Sequence, residues 1–156
     1  MIEVRGNLWE HPANVRVITT NGTVKKNGSA VMGRGCAREA ALRYVGLPAL
    51  LGSMLTEHGN KVHVLRTGAF KPSTEVQPQE ALVSFPVKHE WFEEADLDLI
   101  KASAEQLVAL AGNYDHSTVF VLPRPGCGNG KLSWTNVKPV LESVSGFDDR
   151  FHVITF

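Results

Sequence analysis

Val121-Leu122-Pro123-Arg124-Pro125-Gly126-Cys127-Gly128-Asn129-Gly130-Lys131-Leu132 is the stretch on which the fold turns. It grows out of the apolar residues 118–122, which read as a buried strand, and precedes 134–144, which read as a helix with Ser133 as N-cap. Glycine admits positive φ and lets a ligand approach main-chain N–H groups with no Cβ in the way. At a helix N-terminus such a loop carries partial positive charge, so strand, loop and helix together form an anion site, usually for phosphate. A second stretch of this kind, Val31-Met32-Gly33-Arg34-Gly35-Cys36-Ala37, lies about ninety residues upstream. Two such loops in one small chain suggest a diphosphate held between them.

Outward from the loops, residues 2–5, 15–19, 62–65, 81–85 and 151–155 read as further strands. Helical spacing covers 36–44, and Pro48 opens a second helix ending near His58 and Gly59. The strongest helix runs from Asp96 to Ala111, with Leu97, Ile100, Ala104, Leu107, Val108 and Ala111 on one stripe. Residues 21–30 carry two Asn-Gly turn signals and adjacent lysines and read as a mobile loop. The polar, proline-bearing stretch 66–80 reads either as a long hairpin or as an excursion over the surface. This alternation predicts an α/β chain whose mostly parallel sheet is covered by helices on both faces. Ligands of such sheets bind at the carboxyl ends of strands, where both glycine loops fall. With no repeat or low-complexity tract, residues 1–156 are expected to form a single domain.

The 43% apolar and 21% charged residues are those of an ordinary globule, long enough to bury about two-thirds of its unfolded surface. Sixteen basic residues balance sixteen acidic ones, so no overall field recruits nucleic acid. Residues 1–50 nevertheless hold seven Lys/Arg against three acids, and 89–156 hold five against ten. The basic half contains the first glycine loop, which suits an anionic ligand; uneven charge on a solvated surface is the alternative. No apolar run approaches the ~18 residues of a membrane span, and Met1-Ile2-Glu3-Val4-Arg5 lacks the layout of a signal peptide. The expectation is a cytoplasmic protein without a membrane partner. Cys36 and Cys127, one in each loop, read as reduced thiols filling small buried spaces.

Spacing tests three familiar phosphate and metal motifs. A P-loop needs Gly where Pro125 stands and Ser or Thr where Leu132 stands, so the second loop fails at two positions. A dinucleotide fingerprint starting at Gly33 needs glycine at position 38, which is Arg38. The six histidines show no H-x-x-x-H or C-x-x-C pairing that would mark a metal site. A diphosphate ligand of another class remains.

In order along the chain, four stretches resemble the macrodomain family. They are Gly6-Asn7-Leu8, Val31-Met32-Gly33-Arg34-Gly35-Cys36-Ala37, Phe85-Pro86-Val87-Lys88-His89-Glu90-Trp91, and residues 122–134 around the second loop. Within that family they look most like the branch containing the DarG antitoxin and the terminal ADP-ribose protein glycohydrolase. The resemblance spans essentially the whole chain, and the second loop with F-P-x-K-x-x-W is its most specific part. It implies a three-layer α/β/α fold with a central mixed, mostly parallel sheet, and a cleft for ADP-ribose. On that resemblance Asn7 holds the adenine amine with Leu8 beside it, and Asn21, next to Thr20, approaches the distal ribose. The amides of Gly33, Arg34, Gly35 and Cys36, with Met32, face the distal ribose and one phosphate. Those of Gly126, Cys127, Gly128 and Asn129, framed by Pro123, Pro125 and Gly130, wrap the diphosphate. The implied partner is ADP-ribose or an ADP-ribosylated protein or DNA, with no cofactor or metal, a monomeric state and an unspecified toxin partner.

Lys88 stands at the position of that branch's catalytic lysine, which acts on C1″ of the distal ribose. A lysine in a partly dry cleft loses its proton below its ordinary pKa and can attack carbon; on spacing alone, a surface pair with Glu90, Glu93 or Glu94 is the alternative. Two departures from the branch matter. Gly130 occupies the place where the glycohydrolase carries an aspartate, and Lys88-His89-Glu90-Trp91 replaces K-x-H-W. Glu90 is then the candidate acid/base, with substrate and water as the alternative. The implied function is an ADP-ribosyl hydrolase cleaving at C1″; a non-catalytic ADP-ribose binding module and an ADP-ribose 1″-phosphate phosphatase are the alternatives. Trp91 and Trp134 read as packing residues, Lys25 and Lys26 as solvated charges, and His11 and His89 as rim residues with no role.

Overall fold

The computed structural model describes residues 1–67 and 80–156. Nearly all of the stretch 66–80, read above as hairpin or excursion, lies outside the described residues. Along the chain come β1 (Ile2–Arg5), β2 (Val15–Asn21), α1 (Gly35–Arg43), α2 (Leu47–His58), β3 (His63–Arg66), β4 (Ala81–Lys88), α3 (Leu97–Ala111), β5 (Phe120–Pro123), α4 (Trp134–Glu142) and β6 (Phe151–Thr155). The strands form one sheet in the order β1-β6-β5-β2-β4-β3. Every neighbouring pair is parallel except β3–β4, so the sheet is mixed and mostly parallel, as expected.

The strand period of two sends alternate apolar residues to opposite faces. On one face Val17, Val83, Phe85, Phe120, Leu122 and Phe151 pack against Ile100, Ala104 and Leu107 of α3 and Val137 and Leu141 of α4. On the other, Ile18, Leu82, Val121 and Ile154 pack against Ala40 of α1 and Leu51 and Leu55 of α2. These side chains are 0–7% exposed, and each large one contributes about 1.5–3 kcal/mol by its burial. The helix starts follow the sequence: Asp96 and Ser133 accept hydrogen bonds from the N–H groups of Asp98 and Thr135, and Pro48 sits in the first turn of α2.

Several elements differ from the sequence reading, the following with a visible cause. β4 runs on to Lys88 although Pro86 has no N–H to donate. The ladder accommodates it with a bulge: Thr20 pairs Pro86, then Asn21 pairs Lys88. β5 starts at Phe120, because Asn14 Oδ1 takes the Val119 N–H and Asp115 O takes that of Thr118. Of residues 21–30, expected to be a mobile loop, Asn21 ends β2 and the rest are tied down by a Val24–Ala30 bridge and by the Ala30 N–H donating to Pro48 O.

One charge lies inside β2. Arg16 is 4% exposed, donates to both carboxylate oxygens of Glu80, and bonds Leu8 O through Nη1. Burial of the guanidinium is tolerated because these partners satisfy it. It thereby supports the turn that carries Asn7.

Candidate functional site

The carboxyl ends of the parallel strands open into a cleft of about 1090 Å³, with one glycine loop on each side. On the first side α1 begins at Gly35 without a side-chain cap and without an acid in its first turn. Among the described residues the amides of Gly33, Arg34, Gly35 and Cys36 meet no acceptor, an arrangement that suits an anion at the helix end. Gly35 has φ +59, a conformation that favours glycine.

On the second side Gly126 turns at φ +75, and the Leu132 N–H donates to Gly126 O to close the loop. Among the described residues the N–H groups of Gly126, Gly128, Asn129 and Gly130 have no acceptor, whereas that of Cys127 bonds back to Arg124 O. Pro125 is buried behind the loop and does not line the cleft. A Cβ on Gly130 would sit 2.5 Å from Gly126 O and 2.7 Å from Ala95 Cβ. The place that carries an aspartate in the glycohydrolase is therefore closed to any side chain here.

Lys88, the last residue of β4, lies between the loops. Its ammonium donates to Trp91 O at 3.3 Å, and among the described residues it pairs with no carboxylate. The surface-pair alternative is not the arrangement found. Burial lowers its pKa from the ordinary lysine value, and the charges of Arg34 and Lys131 push it the same way. Glu90, the expected acid/base, is not among the residues that line the cleft, and its carboxylate accepts from Oγ1 of the cleft residue Thr23 at 2.6 Å. The acidic side chains on the cleft wall are Glu39, Glu93 and Glu94.

Asn7, Leu8, Thr20, Asn21, Met32 and Pro123 all line the cleft. Asn7 Oδ1 accepts from the Trp9 N–H and retains a second lone pair. Asn21 is held from both ends of its amide, donating to Val31 O and accepting from the Thr23 N–H. Thr20 Oγ1 and Arg124 Nε, both of cleft residues, are buried polar atoms with no partner among the described residues. Such atoms gain by meeting a ligand or water. The Cys36 thiol contacts Thr19 Oγ1 at 3.3 Å and is pushed up by burial, as is that of Cys127.

Trp134 packs as expected, under Arg124 and bonded to Glu3, and Trp9 stacks beneath Arg43 rather than lining the cleft. Trp91 does not pack a helix on the sheet. It is 51% exposed at the cleft rim, edge-on to Phe92. Lys25, Lys131, Phe92, Thr155 and Phe156 also reach the cleft. The rule that ligands sit at strand ends would have found Thr155, since β6 is a parallel neighbour; Lys131 belongs to the second glycine stretch, and no motif marked Lys25, Phe92 or Phe156.

His89 caps Asp96 at 2.7 Å outside the cleft. His11 is bonded at 2.9 Å to His152 of β6, and its N–H bonds Asn7 O, so it fastens the far end of the Asn7 turn. Burial lowers the His11 pKa, with His152 and Arg16 adding to the effect. The unfolded chain therefore takes up the proton first, and stability that is full above the ordinary imidazole value is lost as pH falls below it. Thermal midpoints measured from about pH 7.5 down to about 5.5 are expected to fall, and less so in His11→Phe.

No described helix is long and apolar enough to cross a membrane, and no three His, Cys, Asp or Glu side chains among the described residues group as a metal site. No family model and no curated protein matches the chain by sequence. Solved structures do. The chain is similar to the macrodomain of Mycobacterium tuberculosis DarG, with 22% identity, a TM-score of 0.74, and coverage of 98% of this chain and 95% of that one. It is similar to the macrodomain of Thermus aquaticus DarG, with 24% identity, a TM-score of 0.63, and coverage of 99% and 97%. Thermosipho africanus DarTG in complex with ADP-ribose matches 98% of this chain over 41% of its own length, with 17% identity and a TM-score of 0.72. With helices on both faces of a mixed, mostly parallel sheet and a near full-length match to these structures, the chain has the macrodomain fold.

Proposed function

We propose that the protein is an ADP-ribosyl hydrolase, which binds ADP-ribose along the cleft and releases it from a modified protein or DNA by cleavage at C1″. The observation that carries this reading is Lys88. It ends β4 in the cleft beside two loops of amides that, among the described residues, are unpaired; among those residues it pairs with no carboxylate, and burial lowers its pKa. In the proposed pose the diphosphate lies between the amides of residues 33–36 and those of Gly126, Gly128 and Asn129. Asn7 and Leu8 hold the adenine through the second lone pair of Asn7 Oδ1. Thr20, Asn21 and Met32 face the distal ribose, which brings C1″ to Lys88. The ADP-ribose bound to the Thermosipho africanus DarTG structure supports the choice of ligand. We read the chain as one domain acting alone.

A second reading, a binding module without turnover, is favoured by the closed space at Gly130, which leaves no room for a carboxylate there. Release of free ADP-ribose from ADP-ribosylated protein and from ADP-ribosylated single-stranded DNA separates the two. The hydrolase reading expects release from at least one. Calorimetric binding of ADP-ribose without release from either would select the binder.

A further inference from the structure

The chain leaves the core at the end of β4, and residues 89–94 are all exposed. A stretch with so little burial is ordinarily among the least stable parts of a fold. Here it is fastened residue by residue. Asn60 Nδ2 donates to Lys88 O at 2.9 Å, and the Gly22 N–H donates to His89 O at 3.1 Å. A Cβ at position 22 would lie 2.6 Å from His89 O and 2.7 Å from Asn60 Nδ2, so glycine is what permits this approach. One hydroxyl serves the next two residues. Thr23 Oγ1 donates to the Glu90 carboxylate at 2.6 Å and accepts from the Trp91 N–H at 2.9 Å. A short, charge-assisted bond to the carboxylate fixes the hydroxyl proton, which leaves the oxygen lone pairs to the Trp91 N–H. Thr23 is itself held, its N–H donating to Asn21 Oδ1 at 3.0 Å and its carbonyl accepting from the Val31 N–H at 3.1 Å. Trp91 O then accepts from Lys88 Nζ at 3.3 Å. A continuous path thus runs from the first glycine stretch, through Thr23 and the Trp91 main chain, to the amine.

We infer that Thr23 and Glu90 are positioning residues for Lys88, acting through the Trp91 main chain to hold Nζ in register with the first glycine stretch. The effect on turnover rests on the hydrolase reading above; the placement of the amine stands on the hydrogen bonds alone. An amine that acts at C1″ must meet it within a narrow range of distance and direction. The N–H given to Trp91 O stops Nζ from swinging on its long side chain, and a neutral amine keeps that bond with its lone pair still available. Glu90 handles no substrate proton in this arrangement. It orients the Thr23 hydroxyl, and the hydroxyl orients Trp91.

The test uses the whole chain. Turnover is read on a protein ADP-ribosylated on glutamate and on ADP-ribosylated single-stranded DNA. Trace acetic anhydride probes the Lys88 amine, its acetylation being followed against pH by mass spectrometry. Thr23→Val keeps the branched shape and loses the hydroxyl. It is expected to lower kcat by about 10- to 100-fold, with KM and ADP-ribose affinity within about two-fold of the parent. Thr23→Ser restores the hydroxyl and should return kcat to within about three-fold of the parent. Glu90→Ala should lower kcat by about five-fold or more, and because Glu90 is exposed it keeps the test open should Thr23→Val fold poorly. In Thr23→Val and Glu90→Ala the midpoint of Lys88 acetylation should move to lower pH, since the ammonium has lost its acceptor, and turnover should level off at that lower pH. Parent-like kcat in Thr23→Val or Glu90→Ala, an equal loss in Thr23→Ser, a loss carried by KM alone, or an unmoved acetylation midpoint would overturn the inference and leave the hydrolase reading standing. No release by the unaltered protein from either probe would overturn the hydrolase reading itself, and the acetylation midpoints would still decide whether Thr23 places the amine.

Discussion

Lys88→Ala is expected to stop release of ADP-ribose while leaving binding of free ADP-ribose largely intact. The amides that face the diphosphate belong to the two loops, and removing one side chain at the end of β4 disturbs none of their hydrogen bonds. Nζ makes a single bond to the protein, to Trp91 O, so the fold loses little. On the hydrolase reading the side chain removed is the nucleophile, and the rate is expected to fall by about 100- to 10,000-fold. Lys88→Arg sharpens the test. It restores a cation for the phosphates, yet a guanidinium stays protonated and cannot attack carbon, so binding should recover and turnover should not. The sign of the pH dependence follows from the same group. The neutral amine is the reactive form, so turnover rises with pH and levels off at the pKa of Lys88, below the ordinary lysine value. Equal rates in Lys88→Ala and the parent would remove the foundation of the hydrolase reading.

Gly126→Val is expected to cost both stability and ligand binding. Position 126 needs φ +75, which an L-residue adopts at a cost of about 1–2 kcal/mol. A Cβ there would also lie 2.9 Å from both Ala95 Cβ and Ile100 Cδ1, atoms packed in the core beneath α3. Overpacking adds about 1–3 kcal/mol. The total of about 2–5 kcal/mol lowers the thermal midpoint by roughly 5–15 °C in a chain of this size. Because Gly126 O also closes the loop through Leu132, the amides at 128–130 shift and ADP-ribose binding should be lost. Gly33→Ala is the contrast. A Cβ at Gly33 meets nothing within 4 Å, so its thermal midpoint should match the parent while ADP-ribose binds more weakly. A parent-like midpoint in Gly126→Val would show that the loop absorbs the strain.

Much of this arrangement was legible in the amino-acid sequence because it depends on local rules. The glycines of both loops announce backbone shapes and close approaches that other residues resist, and Gly126 and Gly35 do adopt positive φ. Alternation of apolar residues placed the strands, and the stripe from Leu97 to Ala111 placed α3. Lys88 stood out only through the resemblance to the macrodomain family, because spacing alone left a surface pair with Glu90, Glu93 or Glu94 open. Glu90 and Glu94 were not distinguishable, being similar side chains a few residues apart in a segment with no periodicity. What each meets is set from far away: Thr23 bonds the Glu90 carboxylate, and Gly130 O holds the backbone beside Glu94. Trp91 escaped for the same reason, as its exposure depends on where residues 89–95 cross the cleft.

The sequence by itself determined the order of strands and helices and the two glycine loops that can meet an anion. Each follows from backbone geometry and burial period within a few residues. Only the tertiary structure decided that a side chain at Gly130 is excluded, that Pro86 is absorbed by a bulge opposite Thr20, and that the Glu90 carboxylate bonds Thr23. Those facts arise where segments distant in the chain press together, and steric exclusion and hydrogen-bond competition between them leave no local trace.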